Sequence, residues 1–163
     1  FSGDLNYSRI MGKLIVDKIT RNVYCVITSL VDNSSINSSS TFTNYNIVDT
    51  STNFNQGGFT VTASGIKVPV PGMYLITFNC HMTSTGLREN VRVALAISGQ
   101  LTSIPSHGYI RDADGHNNTS VATTVISYLQ PDQLVSLEFA REAGTGGVNL
   151  VGNNSHFGLA KLD

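Results

Sequence analysis

The sequence is poor in charge and lacks the patterns of several large protein classes. Charged residues make up 13% of the 163 residues, against about 25% in ordinary soluble domains. The formal net charge is −1 and no run of lysine or arginine occurs, so no nucleic-acid partner is expected. No apolar run approaches the roughly 20 residues that span a bilayer, and no leader-like segment opens the chain, so no membrane insertion is expected.

Motifs for catalysis and cofactor binding are missing too. The four histidines, none of them in an HExxH or cysteine-paired zinc spacing, are His81, His107, His116 and His156. No metal or cofactor is therefore expected. Serine is abundant, but no GxSxG nucleophile elbow is present, and the glycine-rich stretch at 144–147 opens no helix that could hold phosphate. We expect that the protein is not an enzyme.

The two cysteines, Cys25 and Cys80, both lie in strand-like, apolar stretches. Free cysteine behaves in such settings as a small hydrophobic residue. A disulfide would require the two Cβ atoms to lie within about 4.5 Å. The setting favours two buried thiols over a disulfide and leaves the redox compartment open.

The stretch from Phe59 to Cys80 is the most informative part of the sequence. Two short β-type runs lead to Pro69 and Pro71, which cannot donate a ladder hydrogen bond and therefore belong at a sheet edge or corner. From Met73 to Cys80 apolar side chains recur at every second position. This alternation predicts a long strand.

Strand patterns dominate the rest of the chain. Further β-type runs occur at residues 14–19, 23–31, 91–97, 121–129, 134–140, 148–151 and 156–162. No helical period and no fixed-length repeat appears, so the fold class is an all-β sandwich or barrel of about eight to ten strands. We expect an arm or linker at residues 1–12 and one domain at residues 13–163.

Two polar segments interrupt this pattern. Residues 32–58, rich in Ser, Asn and Thr, predict long surface loops with short edge strands. Residues 106–120, SHGYIRDADGHNNTS, hold the densest group of His, Arg and Asp, and predict either a ligand- or partner-binding loop or a solvated one. Its candidate contact residues are His107, Tyr109, Arg111, Asp112, Asp114 and His116. The segment lacks the full acidic ligand set of a calcium loop, so no metal is assigned to it.

Four blocks of the sequence resemble the C1q/TNF-like jelly roll. They are KVPVPGMYLITFNC at Lys67–Cys80, VRVALAISG at Val91–Gly99, the strand–turn–strand unit at Val121–Phe139, and SHFGLAKLD at Ser155–Asp163. Together they span roughly the C-terminal two thirds, and the N-terminal third has a longer Ser/Asn-rich region than is usual in the family. The resemblance implies a two-sheet antiparallel jelly-roll sandwich that assembles as a homotrimer.

A trimer would also explain a strand that is apolar on both faces. One face packs in the sandwich, and the other needs a second apolar surface, which a cyclic assembly supplies. The residues expected in the core or at the trimer axis are Tyr74, Phe78, Phe157 and Leu159. The alternative is a monomer that holds all four in its core.

Two classes of function are compatible with these expectations. The first is a structural or adhesive module on the surface of a virus (phage) particle. It would be either a capsid decoration protein or a receptor-binding fibre head, with capsid proteins, tail proteins or a host receptor or glycan as partners. The second is a secreted, extracellular C1q-type recognition or cytokine-like domain. The low charge and the many Asn, Ser and Gly residues resemble phage proteins of this fold and favour the first class.

Overall fold

The computed structural model describes residues 23–51, 53–84, 86, 88–102, 105–111, 116–144 and 147–162. The predicted arm at 1–12 and the predicted strand at 14–19 lie outside these residues. The strands are β1 (Tyr24–Ile27), β2 (Asn53–Gln56), β3 (Thr60–Thr62), β4 (Gly65–Lys67), β5 (Gly72–Ser84), β6 (Glu89–Ile97), β7 (Gln100–Leu101), β8 (Ser106–Ile110), β9 (Asn118–Leu129), β10 (Leu134–Ala143), β11 (Val148–Leu150) and β12 (His156–Lys161). A single 3-10 turn, Gly152–Asn154, separates the last two strands.

The strands form two antiparallel sheets. In the first sheet the order is β9-β5-β12-β1-β2, and β11 and β12 lie one after the other along the same side of β5. In the second sheet the order is β3-β4-β10-β6-β8, with β7 preceding β8 on the same side of β6. The predicted β-type run at 23–31 contains β1, which lies inside the first sheet because it pairs with both β12 and β2.

Prolines and turns mark where the chain changes direction. Pro69 and Pro71 lie between β4 of the second sheet and β5 of the first, which is the predicted corner. A two-residue loop joins β6 to β7, and both of its residues have positive φ: 51° at Ser98 and 78° at Gly99. This is the backbone of a type I′ hairpin, a turn that glycine tolerates without strain.

The core lies between the two sheets. Along β5 every second side chain is buried, as the alternation predicted. Tyr74 is fully buried, its hydroxyl donates to the Val70 carbonyl at 2.8 Å, and its ring meets Phe59 edge-on at 6.1 Å. Cys25 and Cys80 are free, buried thiols in this core, and burial raises the pKa of Cys25 to about 11 and that of Cys80 further.

The polar segment at 32–58 is attached to both sheets. Asn33 bridges to β11, and Thr43 exchanges backbone hydrogen bonds with Phe139 of β10. Ile36 is fully buried. The predicted edge strand is present as β2, and the remainder of the described segment is loop that joins the sheets through isolated bridges at Asn33, Thr43 and Val48.

Candidate functional site

The outward side of the first sheet is a broad surface without formal charge, which we call the neutral face. Strand register places its side chains in rows across the sheet. They are Tyr24, Val26, Phe54, Gln56, Met73, Leu75, Thr77, Asn79, His81, Thr83, Asn118, Ser120, Ala122, Thr124, Ile126, Tyr128, Asn149, His156, Gly158 and Ala160. Among the described strands of this sheet the one Asp, Glu, Lys or Arg is Lys161. Lys161 pairs with Tyr74, whose side chain faces the core, so it lies off the neutral face.

One end of the neutral face is apolar and exposed. Tyr128 is 55% exposed, Ile126 57% and Met73 36%, all on the adjacent strands β9 and β5, while Phe54, 65% exposed, lies on the opposite edge strand β2. Large side chains are seldom left open in such a group on a monomer, and a patch of this kind marks a contact surface. Leu75 lies between Ile126 and Ala160 in the same row, and this row continues across the sheet to Tyr24 of β1.

The other end of the neutral face is polar but uncharged, apart from two histidines. His156 of β12 lies opposite Asn79 of β5, and His81 lies two residues further along β5 on the same side. The His81 Nδ1 atom is 3.1 Å from the Ser120 hydroxyl of β9.

The strands of the second sheet carry more charged residues than those of the first, where Lys161 is the one Asp, Glu, Lys or Arg in the described strands. Arg92 of β6 donates to the carbonyls of Ser40 at 3.0 Å and Arg141 at 3.2 Å, and its guanidinium lies 5.1 Å from the centre of the Phe42 ring. The Arg92 Nε atom is buried without a hydrogen-bond partner. These contacts hold the 38–45 segment against the sheet, which is a structural role.

Most of the described residues in the predicted binding segment at 106–120 are in strands. Residues 106–110 form β8 and β9 begins at Asn118, so the expectation of one continuous loop is wrong. Because the segment is polar, its alternating pattern of burial was not recognised from the sequence. Gly108 and Ile110 are buried, whereas His107 and Tyr109 are exposed. That alternation was the signal of a half-buried edge strand.

Of the six candidate contact residues, the structure brings two onto one strand. His107 is half-exposed and its Nδ1 atom lies 2.8 Å from the Glu142 carboxylate, and Tyr109 is 53% exposed. Arg111 and His116 are exposed on either side of residues 112–115. Asp112 and Asp114 lie outside the described residues.

The four residues predicted for the core or the trimer axis all lie in the core. Tyr74 and Phe157 are fully buried, and Phe78 and Leu159 are each 2% exposed. Residues that could face a neighbouring copy are therefore on the opposite side of the same strands. The sequence predicted the alternation of β5. It did not predict the strand order that places β1, β2, β9 and β12 beside β5 in one surface.

An open cleft of about 400 Å³ runs beside Asp32 and Asn149, and the Asp32 carboxylate already accepts from the Gly152 amide at 2.7 Å. No group of three or more His, Cys, Asp or Glu side chains within the described ranges could hold a metal. Nor is any helix there long and apolar enough to cross a membrane.

Comparison with solved structures identifies the fold. The Eiger TNF protein of S. frugiperda matches with a TM-score of 0.56 and 14% identity, over 87% of this chain and 93% of its own. Two structures of murine APRIL, at pH 8.0 and pH 8.5, match over 87% of this chain and 100% of theirs. Their TM-scores are 0.57 and 0.58, with identities of 14% and 12%. The chain is a TNF-like jelly-roll sandwich, and identities this low establish the fold alone.

No family model matches the sequence. The search of curated proteins likewise gives no match. The expected jelly-roll fold is confirmed by structure, while the expectations about assembly, setting and partners remain to be tested.

Proposed function

We propose that this chain is a non-enzymatic interaction module that assembles as a homotrimer through its neutral face and binds its partner with surfaces left open. The observation that supports the proposal most strongly is the separation of charge. Six charged residues occur in the strands of the second sheet, and they are Lys67, Glu89, Arg92, Glu138, Arg141 and Glu142. The neutral face has none.

A face without formal charge can meet its own copy without like-charge repulsion. It also avoids the cost of leaving an unpaired charge in a dry interface. The exposed Phe54, Ile126 and Tyr128 provide the large apolar side chains that anchor interfaces between subunits. A second copy is therefore the occupant that this surface fits best, and the resemblance to C1q/TNF-like proteins supports a closed threefold arrangement.

Two settings remain for such a trimer. The virus-particle setting, on the virion surface, is supported by the low charge of 13% and the abundance of Asn, Ser and Gly. The secreted setting is supported by the fold shared with the Eiger and APRIL structures. In both settings the exposed β8 edge, with His107 and Tyr109, is the candidate contact for a receptor, glycan or capsid protein.

Measuring mass in solution tests the assembly. Light scattering of the purified chain should give about three times the 17.5 kDa chain mass. Ile126→Asp should dissociate the trimer, because it places an unpaired carboxylate in an apolar contact. The matched control is Leu101→Asp, since Leu101 is 45% exposed but lies on the second sheet. A wild-type monomer, or equal effects of the two substitutions, would contradict the proposal.

Binding assays separate the two settings. Labelled protein is offered to empty capsids and to intact host cells from the same virus–host system. Saturable binding to capsids supports a decoration protein, and binding to cells that blocks infection supports a fibre head. Loss of either signal in Tyr109→Ala, with the trimer intact, would assign the contact to β8. An absence of binding to capsids and cells would argue against the virus-particle setting.

A further inference from the structure

We infer that His81 and His156 make assembly through the neutral face dependent on pH, so that the subunits separate as the histidines gain a proton. The inference rests on the proposed self-association and adds a pH dependence to it. These two residues are the histidines of the neutral face, and that face has no formal charge to neutralise them.

The strand register places the two histidines together. His156 is paired with Asn79, and His81 is the next residue of β5 on that side. Diagonal neighbours of this kind on an antiparallel pair lie about 7–8 Å apart. Two protonated rings at this separation repel each other when water is excluded.

The surroundings offer little to offset a positive charge. On β9 the residue opposite His81 is Ser120, and on β11 Asn149 lies opposite Thr83, the next outward residue of β5. On β12 the next outward residue after His156 is Gly158. Among the described residues of the flanking loops, the ionisable groups include Asp32, which is bonded to the Gly152 amide, Asp49 before β2, Arg88 after β5, and Arg111 and His116 before β9.

The physical consequence follows from burial. Histidine as a class changes charge between about pH 5 and pH 8. In a separate subunit His156 is exposed to water, whereas in the trimer a positive charge on either ring would lie in a desolvated interface. Acid therefore favours the separate subunits, and in a trimer the effect is repeated in every copy.

The test compares the assembly equilibrium at about pH 8 and about pH 5. Sedimentation velocity of the wild-type chain should show a trimer at the higher pH and at least about tenfold weaker association at the lower pH, equivalent to one unit of differential pKa. The double substitution His81→Asn, His156→Asn should stay assembled at both. His107→Asn, on the second sheet, should respond as the wild type does.

The outcomes separate this inference from the proposed function. A chain that is monomeric at about pH 8 contradicts self-association itself. A chain that assembles equally at both pH values, with an unchanged circular dichroism spectrum, contradicts only the inferred pH dependence through His81 and His156. So does a double variant that still dissociates in acid. Because His156 is exposed, the single His156→Asn variant provides a second readout, a smaller pH response, if the double variant folds poorly.

Discussion

The Asn37 side-chain amide donates to the Glu89 carboxylate at 3.2 Å, although the two residues are 52 positions apart in the chain. Asn37 is 1% exposed and Glu89 2%. The Asn37 carbonyl oxygen also accepts from the Val148 amide at 2.9 Å. One buried side chain thus joins the polar 32–58 segment to the start of β6 and the start of β11.

Replacing Asn37 with leucine should therefore destabilise the fold strongly. The substitution leaves the Val148 amide without its partner and removes a donor from a buried carboxylate, and each such loss costs about 1–3 kcal/mol. Urea unfolding should show a midpoint far below that of the wild type. Asn149→Leu is the matched control because Asn149 is exposed, and surface changes usually stay within about 0.5 kcal/mol. Similar midpoints for the two variants would contradict the assigned role.

Arg92 should matter for the order of the 38–45 segment. Arg92→Lys removes the two-carbonyl contact and the flat stacking on Phe42, which an ammonium cannot reproduce. We expect faster hydrogen exchange at the Thr43 and Arg141 amides, which bond to the Phe139 and Ser39 carbonyls. Arg88→Lys, at an exposed position, should leave these amides protected. Unchanged exchange in Arg92→Lys would show that the segment is held by its backbone bonds alone.

The fold was largely predictable from sequence, and the surface was not. Strict alternation, as at Met73–Cys80, is a local signal that a single strand carries by itself. The neutral face depends on which strands become neighbours, and the pairing of Val26 with both Phe54 and Gly158 has no local signal. Likewise, β8 was missed because its exposed positions, His107 and Tyr109, are residues that also suit a binding loop.

The two thiols should be unreactive in the folded protein. Burial raises the pKa of Cys25 to about 11 and raises that of Cys80 as well, and only the thiolate reacts with disulfide reagents. At about pH 8 the native chain should react slowly with Ellman's reagent. In guanidinium chloride both thiols should react at once. Rapid native labelling would mean that the sandwich opens locally around β1 or β5.

Glu138 should make the fold slightly less stable as pH rises. Desolvation raises the pKa of its carboxyl above the ordinary 4.5, so the folded state holds the proton more tightly than the unfolded state does. The contribution of Glu138 to the free energy of unfolding is then greatest below pH 4.5. It declines as the pH rises through the raised pKa of the folded state. Glu138→Gln should be more stable than the wild type at neutral pH, and the gain should vanish in acid.

The matched control for Glu138 is Glu142→Gln, on the same strand. Glu142 is exposed and contacts His107, so its removal should give no gain at neutral pH. Thermal melts of the wild type and both variants across the acid range provide the comparison. A Glu138→Gln variant that is less stable than the wild type at neutral pH would show that the carboxylate has a favourable partner.

The absence of Asp, Glu, Lys and Arg from the neutral face has a consequence for handling this protein. Joining copies through the neutral face covers no Asp, Glu, Lys or Arg side chain of that face. Sodium chloride, which acts by screening, would have little effect on the equilibrium. Ammonium sulfate, which strengthens apolar burial, would tighten it. Gel filtration is then the means of separating the single chain from the assembled form. Changing the salt on an ion-exchange column would not separate them.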